Sequence, residues 1–365
     1  MSMGTVVVKL GSSIVVDEAG HLRADVLSHV CADIAAIRDA GDEVVVVTSG
    51  AIALGIAELE LDGRPAALDE LQAASAIGQA TLFGGWRVEL GAHGIKAAQV
   101  LLTLHDIEER ASNVNVGATL RRLLSWGAVP VINENDTTTT EEITFGDNDV
   151  LAAQVAILLG ARILVLLTDA DGLHEADPRS NPDAPIVRDV HDFAQLEGFE
   201  IAQQANNLGS GGMRSKVVSA EMATAAGIET VVGPGKDAGT LRAASEGKDA
   251  GTRFHPGGDG HGSFKAWLKF AKTSRGVIEV DSGAAKALEA GGTSLLPVGV
   301  TAVSGDFVSG DAVEVLCEGR PVGKGLVAYS AADLEAVKGL KTDAVKSAMP
   351  GAPDEAIHRD RFVLA

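Results

Sequence analysis

Four stretches of this chain, residues 5–10, 44–48, 128–132 and 163–167, are apolar at nearly every position and rich in valine and isoleucine. A strand with one wet face alternates apolar with polar residues. A strand that is apolar throughout must be covered on both faces, which is the situation of parallel sheets wrapped by helices. The sequence between the runs supplies those helices. Residues 22–40 place Leu22, Val26, Leu27, Val30, Ile34 and Ile37 at helical spacing and close on Gly41. Residues 68–90 and 113–126 carry further helical patterns, with a strand at 94–102 between them, and shorter signals continue the alternation with helices at 150–159 and 213–226 and a strand at 230–232. The expected fold class is therefore α/β, an open, mainly parallel sheet with helices on both faces.

In such sheets ligands bind beyond the carboxyl ends of the strands, and here those ends are polar or small. The first run closes on Lys9-Leu10-Gly11-Ser12, the second on Ser49-Gly50-Ala51, the 128–132 run on Asn133-Glu134-Asn135-Asp136, and the 163–167 run on Thr168-Asp169. A lysine inside an apolar strand, as Lys9 is, departs from the usual surface placement of that residue. Phe145-Gly146-Asp147-Asn148-Asp149 opens the helix at 150–159, with Asp147 as a candidate N-cap. The turn Gly209-Ser210-Gly211-Gly212-Met213-Arg214-Ser215-Lys216 runs into another helix. Bare backbone N–H groups there can approach a phosphate with the helix dipole behind them, and Lys216 adds a full charge. It is not a Walker A loop, because Met213 to Ser215 separate its last glycine from the lysine.

Composition excludes several classes of function. A formal net charge of −20 opposes a general basic surface for nucleic acid. Cys31 and Cys317 form no metal-ligand spacing and read as reduced, packed thiols of a cytoplasmic protein. No export signal is evident at the start, and the longest apolar reach, 150–167, is interrupted by Gln154, Gly160 and Arg162, so no membrane span is expected. Residues 246–263 turn rich in Gly, Asp and His and read as an irregular close of the first domain. From Arg275 the texture changes to short β-type pieces at 277–280, 298–303, 312–316 and 325–329, with a lone helix at 283–290. The expected division is a catalytic domain over 1–258, a linker over 259–274, a small β-barrel-like domain over 275–353 and a tail over 354–365.

Taken in order, these segments resemble the amino acid kinase family, and most closely its glutamate-phosphorylating branch. The stretch from Arg275-Gly276-Val277 through Ser294-Leu295-Leu296-Pro297 to Gly305-Asp306-Phe307 resembles a PUA domain. The resemblance implies transfer of the γ-phosphoryl group of ATP, with Mg²⁺, to the side-chain carboxylate of L-glutamate. It also implies feedback inhibition by proline and a homo-oligomer, a dimer or a tetramer. Catalytic roles would fall on Lys9 and Lys216, with Asp149 organising them. Contacts to ATP would come from Lys9, Gly11, Ser12, Thr168, Asp169, Ser210, Gly211, Gly212, Met213, Arg214, Ser215 and Lys216. The acceptor would be held by Ser49, Gly50, Ala51, Asn133, Asp136, Asp147 and Asn148. The chemistry is coherent without a general base, because a carboxylate is already ionised near neutral pH. Other acceptors of the same fold, namely aspartate, N-acetylglutamate, carbamate and UMP, remain as alternatives. RNA binding through the second domain is disfavoured by seven Lys/Arg against ten Asp/Glu over residues 275–351. A dinucleotide oxidoreductase is disfavoured because Gly11-Ser12-Ser13 lacks the Gly-x-Gly-x-x-Gly pattern.

Overall fold

The computed structural model describes residues 4–138, 147–181, 183–196, 212–257, 268, 274–349 and 352–364. The chain forms two compact units, residues 1–260 and 261–365. The first begins with β1 (Thr5–Leu10), α1 (Ser12–Val15), α2 (Ala24–Asp39), β2 (Glu43–Thr48), α3 (Ala51–Glu58), α4 (Leu68–Ala92) and β3 (Lys96–Leu102). It continues through α5 (Leu104–Glu108), α6 (Arg110–Ser125), β4 (Ala128–Glu134), α7 (Asp147–Leu159) and β5 (Ile163–Thr168). The short strands β6 (Leu173–His174), β7 (Ile186–Val187) and β8 (Asp189–Val190) precede α8 (Met213–Ala225), β9 (Glu229–Pro234), α9 (Thr240–Ser245) and β10 (Thr252–Phe254).

The main sheet has the order β3-β4-β2-β1-β5-β9-β10-β8. Its first six strands are parallel, and β10 reverses against β9. From β1 the chain builds β2, β3 and β4 on one side and then crosses to β5 and β9 on the other, so β1 and β5 flank the point where strand order reverses. Alternation along β1 sends Val6, Val8 and Leu10 into a core shared with Leu27 and Ile34 of α2 and with Leu82 and Trp86 of α4. Val7 and Lys9 therefore face the opposite side, where α7 lies against β1. Lys9 sits between Val47 of β2 and Leu166 of β5.

Three elements differ from the sequence reading of this unit. Strand β4 runs on through Asn133 and Glu134, so Asn133 is a strand residue. Helix α7 begins at Asp147 itself, which moves the cap position to residue 146, outside the described residues. The segment expected to be irregular contains β10, in which Thr252 and Phe254 are buried and Arg253 pairs with Glu229. Three residues are too few to show an alternation. Both cysteines are free and buried, and burial pushes the Cys31 thiol up to about 12, which leaves it unreactive.

The second unit comprises β11 (Ser274–Val280), α10 (Ser282–Glu289), β12 (Val300–Gly305), β13 (Ala312–Cys317), β14 (Arg320–Val327), α11 (Ala331–Val337), α12 (Thr342–Ala348) and β15 (Ile357–Leu364). Its sheet has the order β12-β11-β13-β14-β15, with β11 and β13 parallel and the other pairs antiparallel. Two corrections follow. The helix at α10 is joined by α11 and α12; α11 is capped by Ser330, which accepts from the Asp333 N–H at 3.1 Å. The stretch set apart as a tail supplies β15, whose Ile357 and Phe362 are buried in this unit's core.

Candidate active site

The carboxyl ends of β1, β2, β4 and β5 share one edge of the sheet, and the helices that follow begin there. Lys9, near the end of β1, places Nζ 2.6 Å from Asp149 Oδ1, and Lys216, in the first turn of α8, places Nζ 3.2 Å from Asp149 Oδ2. Ser215 donates to Asp149 Oδ2 at 2.6 Å, with the Gly212 carbonyl 2.8 Å away as its alternative acceptor. Lys9 and Lys216 are each 3% exposed and Asp149 is 0% exposed, so the cluster is closed to bulk water. Burial alone would raise the pKa of Asp149. The charges of Lys216 and Lys9, with hydrogen bonds from Lys9 and Ser215, outweigh it and hold the carboxyl well below the usual range. Burial, seconded by Lys216, lowers the pKa of Lys9, while Asp149 opposes that shift. With both lysines protonated the three side chains sum to +1, an arrangement suited to an incoming anion.

One residue earlier on α7, Asn148 serves a second cluster. Its Nδ2 donates to Ser49 Oγ at 3.0 Å and to Asn133 Oδ1 at 3.3 Å, and Asn133 Nδ2 donates to Gln79 Oε1 on α4 at 2.7 Å. The Asn148 Oδ1 atom is buried and accepts no hydrogen bond from the described residues. Ser49 leads into Gly50, which caps α3 in the left-handed region at φ 116°. A Cβ there would come 2.9 Å from Val16 Cγ2, so backbone shape and space both call for glycine. What the sequence showed as a small-residue loop is thus the start of a helix, whose first N–H groups point toward the sheet edge. Asp136, 8% exposed, accepts from Ser75 Oγ of α4 at 2.5 Å. Burial raises its pKa, against the Ser75 hydrogen bond and the charge of Arg64.

Of the remaining sequence candidates, Gly11 caps α1, and a Cβ on it would lie 3.8 Å from Lys9 Nζ; Ser12 begins that helix. Gly212 caps α8, with Met213 and Arg214 in its first turn. Thr168 closes β5 and donates to Asp169 Oδ1 at 3.1 Å. Thr168 pairs with Pro234 across β9, and beyond Pro234 opens a cleft of about 350 Å³ lined also by Asp171, Arg188, Asp237, Thr240 and Asp249. Ser210, Gly211 and the side chain of Asp147 lie outside the described residues. The structure thus brings Lys9, Asp149, Ser215 and Lys216 into one contact group and Ser49, Asn133 and Asn148 into another, with Asp136 tied to α4. Sequence reasoning missed Ser75 and Gln79. Their signal was polarity on the stripe that α4 buries through Leu71, Gly78 and Leu82.

One other group among the described residues has metal-ligand chemistry. Asp189, His191 and His255 bring their ligand atoms within 4.8 Å of one another. The imidazole rings stack at 4.2 Å with planes only 13° apart, and His255 Nε2 lies 2.7 Å from Asp189 Oδ1. In-plane lone pairs of stacked rings run side by side and do not converge on one cation. The trio instead clamps β8 to β10 at the sheet edge.

A phosphotransferase-type arrangement on a parallel α/β sheet defines the class: this chain belongs to the amino acid kinase family, whose model matches residues 4–234, and a PUA domain model matches residues 276–349. Among its curated relatives, the glutamate 5-kinase of Caulobacter vibrioides is 44% identical over 364 residues, covering 99% of this chain and 96% of that protein. The glutamate 5-kinase of Sphingopyxis alaskensis is 46% identical over 362 residues, covering 98% and 96%. Among solved structures, an isopentenyl phosphate kinase aligns with a TM-score of 0.49 at 18% identity, covering 68% of this chain and 99% of that one.

Proposed function

We propose that this protein transfers the γ-phosphoryl group of ATP to the side-chain carboxylate of L-glutamate, giving L-glutamyl 5-phosphate and ADP, the opening step of proline biosynthesis. The observation that carries the reading is the approach of Lys9 and Lys216 to opposite oxygens of one buried carboxylate, at 2.6 and 3.2 Å. A glutamate oxygen attacks the γ-phosphorus as the bond to the β-bridging oxygen breaks, so the protein's task is to align two anions and neutralise charge. Lys9 and Lys216 act on the oxygens of the transferring group, and Asp149 orients both amines. Backbone N–H groups at Gly11, Ser12, Gly211 and Gly212 receive phosphates. Thr168 and Asp169, beside the cleft past Pro234, meet the nucleoside; carboxylates lining that cleft suit hydroxyl and amino donors better than phosphates. Mg²⁺ arrives on the nucleotide. Asp149 is engaged with Lys9, Lys216 and Ser215, and the ion would be held chiefly by the phosphates.

On the acceptor side, Ser49, Gly50 and Ala51 receive a carboxylate at the start of α3, while Asp136, Asp147, Asn133 and Asn148 supply acceptors for the α-ammonium. The Asn148 Oδ1 atom, buried and without a partner among the described residues, supports this assignment. N-acetylglutamate, lacking the ammonium, is a poor substrate on this reading, and proline, which keeps an ammonium and a carboxylate, competes for the pocket. The protein works in the cytoplasm as a homo-oligomer. The deciding experiment traps the acyl phosphate formed from glutamate with hydroxylamine and compares ADP formation with glutamate, aspartate, N-acetylglutamate, carbamate and UMP, with and without proline. Glutamate-dependent hydroxamate formation suppressed by millimolar proline is the expected outcome; equal or greater turnover of another acceptor overturns the substrate assignment.

A further inference from the structure

Ser75 and Gln79 stand one turn apart on α4, on a stripe otherwise buried through Leu71, Gly78 and Leu82. Each grips a different part of the acceptor side. Gln79 accepts from Asn133 at 2.7 Å, and Asn133 in turn accepts from Asn148. Ser75, 4% exposed, donates to Asp136 Oδ2 at 2.5 Å. A hydroxyl in this position is not needed to fill space, since alanine would do that in a helix with less desolvation to offset. Its effect is on the carboxylate: it fixes which way Asp136 faces and stabilises the anion in a place where burial works against ionisation. Arg64, from the segment between α3 and α4, acts on the carboxylate in the same sense as Ser75.

We infer that Ser75 is a positioning residue for an amino acid acceptor, holding one oxygen of Asp136 from behind so that the other is presented to the acceptor's ammonium group. This rests on the reading of the site as a glutamate pocket. The test measures kcat and KM for glutamate and for ATP from about pH 4.5 to about pH 9 in the full chain and in Ser75→Ala and Ser75→Thr. Ser75→Ala is expected to raise the glutamate KM about tenfold, with kcat changed by less than about twofold and the ATP KM unmoved. The acid limb of kcat/KM for glutamate shifts to higher pH, because the Asp136 anion loses its donor; Ser75→Thr restores both properties. A wild-type glutamate KM and limb in Ser75→Ala overturn the inference. So does a parallel loss of kcat and ATP affinity with the limb in place, which is the mark of a packing role. Should Ser75→Ala fail to fold, Ser75→Cys, of similar volume and weaker as a donor, is expected to show the limb part-way shifted, and an unshifted limb overturns the inference equally. A wild-type enzyme that ignores glutamate defeats the functional reading and this inference together, whereas an active wild type with an unresponsive Ser75→Ala defeats the inference alone.

Discussion

At the scale of single residues the site is governed by where charge is buried. Lys9 and Lys216 are argued to act on charge that is fullest in the transition state, so Lys9→Met or Lys216→Met should cost about 3 kcal/mol or more, a hundredfold or greater fall in kcat, with a smaller change in glutamate KM. Steady-state kinetics checks this, alongside melting curves, because each change also removes a partner from the buried Asp149. Asp136 behaves oppositely to Asp149. Its folded pKa is raised by burial, so the folded state binds the proton more tightly than the unfolded chain. Stability therefore falls as pH rises through that interval, and the whole cost is present above the folded value. Asp136→Asn removes the cost. It should raise Tm at neutral and alkaline pH, lose that advantage in acid, and raise glutamate KM; calorimetry at several pH values with parallel kinetics tests the pair of effects, and a Tm lowered at every pH would contradict the assignment. Lys9 was legible in the sequence because a charge inside an apolar strand has no bland placement. Ser75 and Gln79 were not, since a polar residue on a helix looks like surface until the helix it packs against is known.

Among elements, the pocket depends on how closely α3 and α4 approach. A Cβ on Gly78 would lie 2.0 Å from the Ala51 carbonyl oxygen and 2.4 Å from the Gly55 nitrogen, and one on Gly55 would lie 1.8 Å from the Ala74 carbonyl oxygen. Backbone meets backbone there, with nothing flexible to yield. The same stretch of α4 carries Ser75 and Gln79, and the same stretch of α3 begins at Ala51. Gly78→Ala gains about 1 kcal/mol in helix propensity but has to push the helices apart, so a net destabilisation of about 2 kcal/mol is expected, with glutamate KM raised and ATP KM steady. Gly84→Ala, in the same helix with open space around its Cβ, should instead stabilise by up to about 1 kcal/mol. Denaturant melts of both variants separate crowding from propensity. This contact also explains what the sequence hid. The strands β1, β2, β4 and β5 announce themselves because burial on both faces leaves a run apolar at nearly every position. By contrast α3 is short, rich in small residues and interrupted by the glycine that the crossing demands, so it resembles a loop until its neighbour is in place.

At the scale of the whole molecule, each unit carries a core of its own, and the second depends on a strand that its composition conceals. Strand β15 carries His358, Arg359 and Arg361, as suits an exposed edge, and among its described residues Ile357 and Phe362 belong to the core. Its partner β14 is built to receive it: a Cβ on Gly323 would lie 2.4 Å from the Phe362 ring, and one on Gly325 2.6 Å from Ile357 Cγ2. Backbone bonds bind the approach as well, with the Ala356 N–H donating to Leu295 at 2.7 Å and the Ala328 N–H to Ala356 at 2.8 Å. Deleting residues 354–365 removes Ile357 and Phe362 together, roughly 5 to 10 kcal/mol by the usual cost of emptying such positions, and leaves the edge of β14 bare. That is comparable to the net stability of a typical domain, about 5 to 15 kcal/mol. The truncated chain should therefore lose the second unit's cooperative melting transition in calorimetry, while the transition of the first unit persists because Val6, Leu27, Trp86 and their neighbours form a core without any residue of β15. Loss of both transitions would mean that the first unit draws its stability from the second, and survival of both would mean that β15 is the dispensable tail its charges resemble.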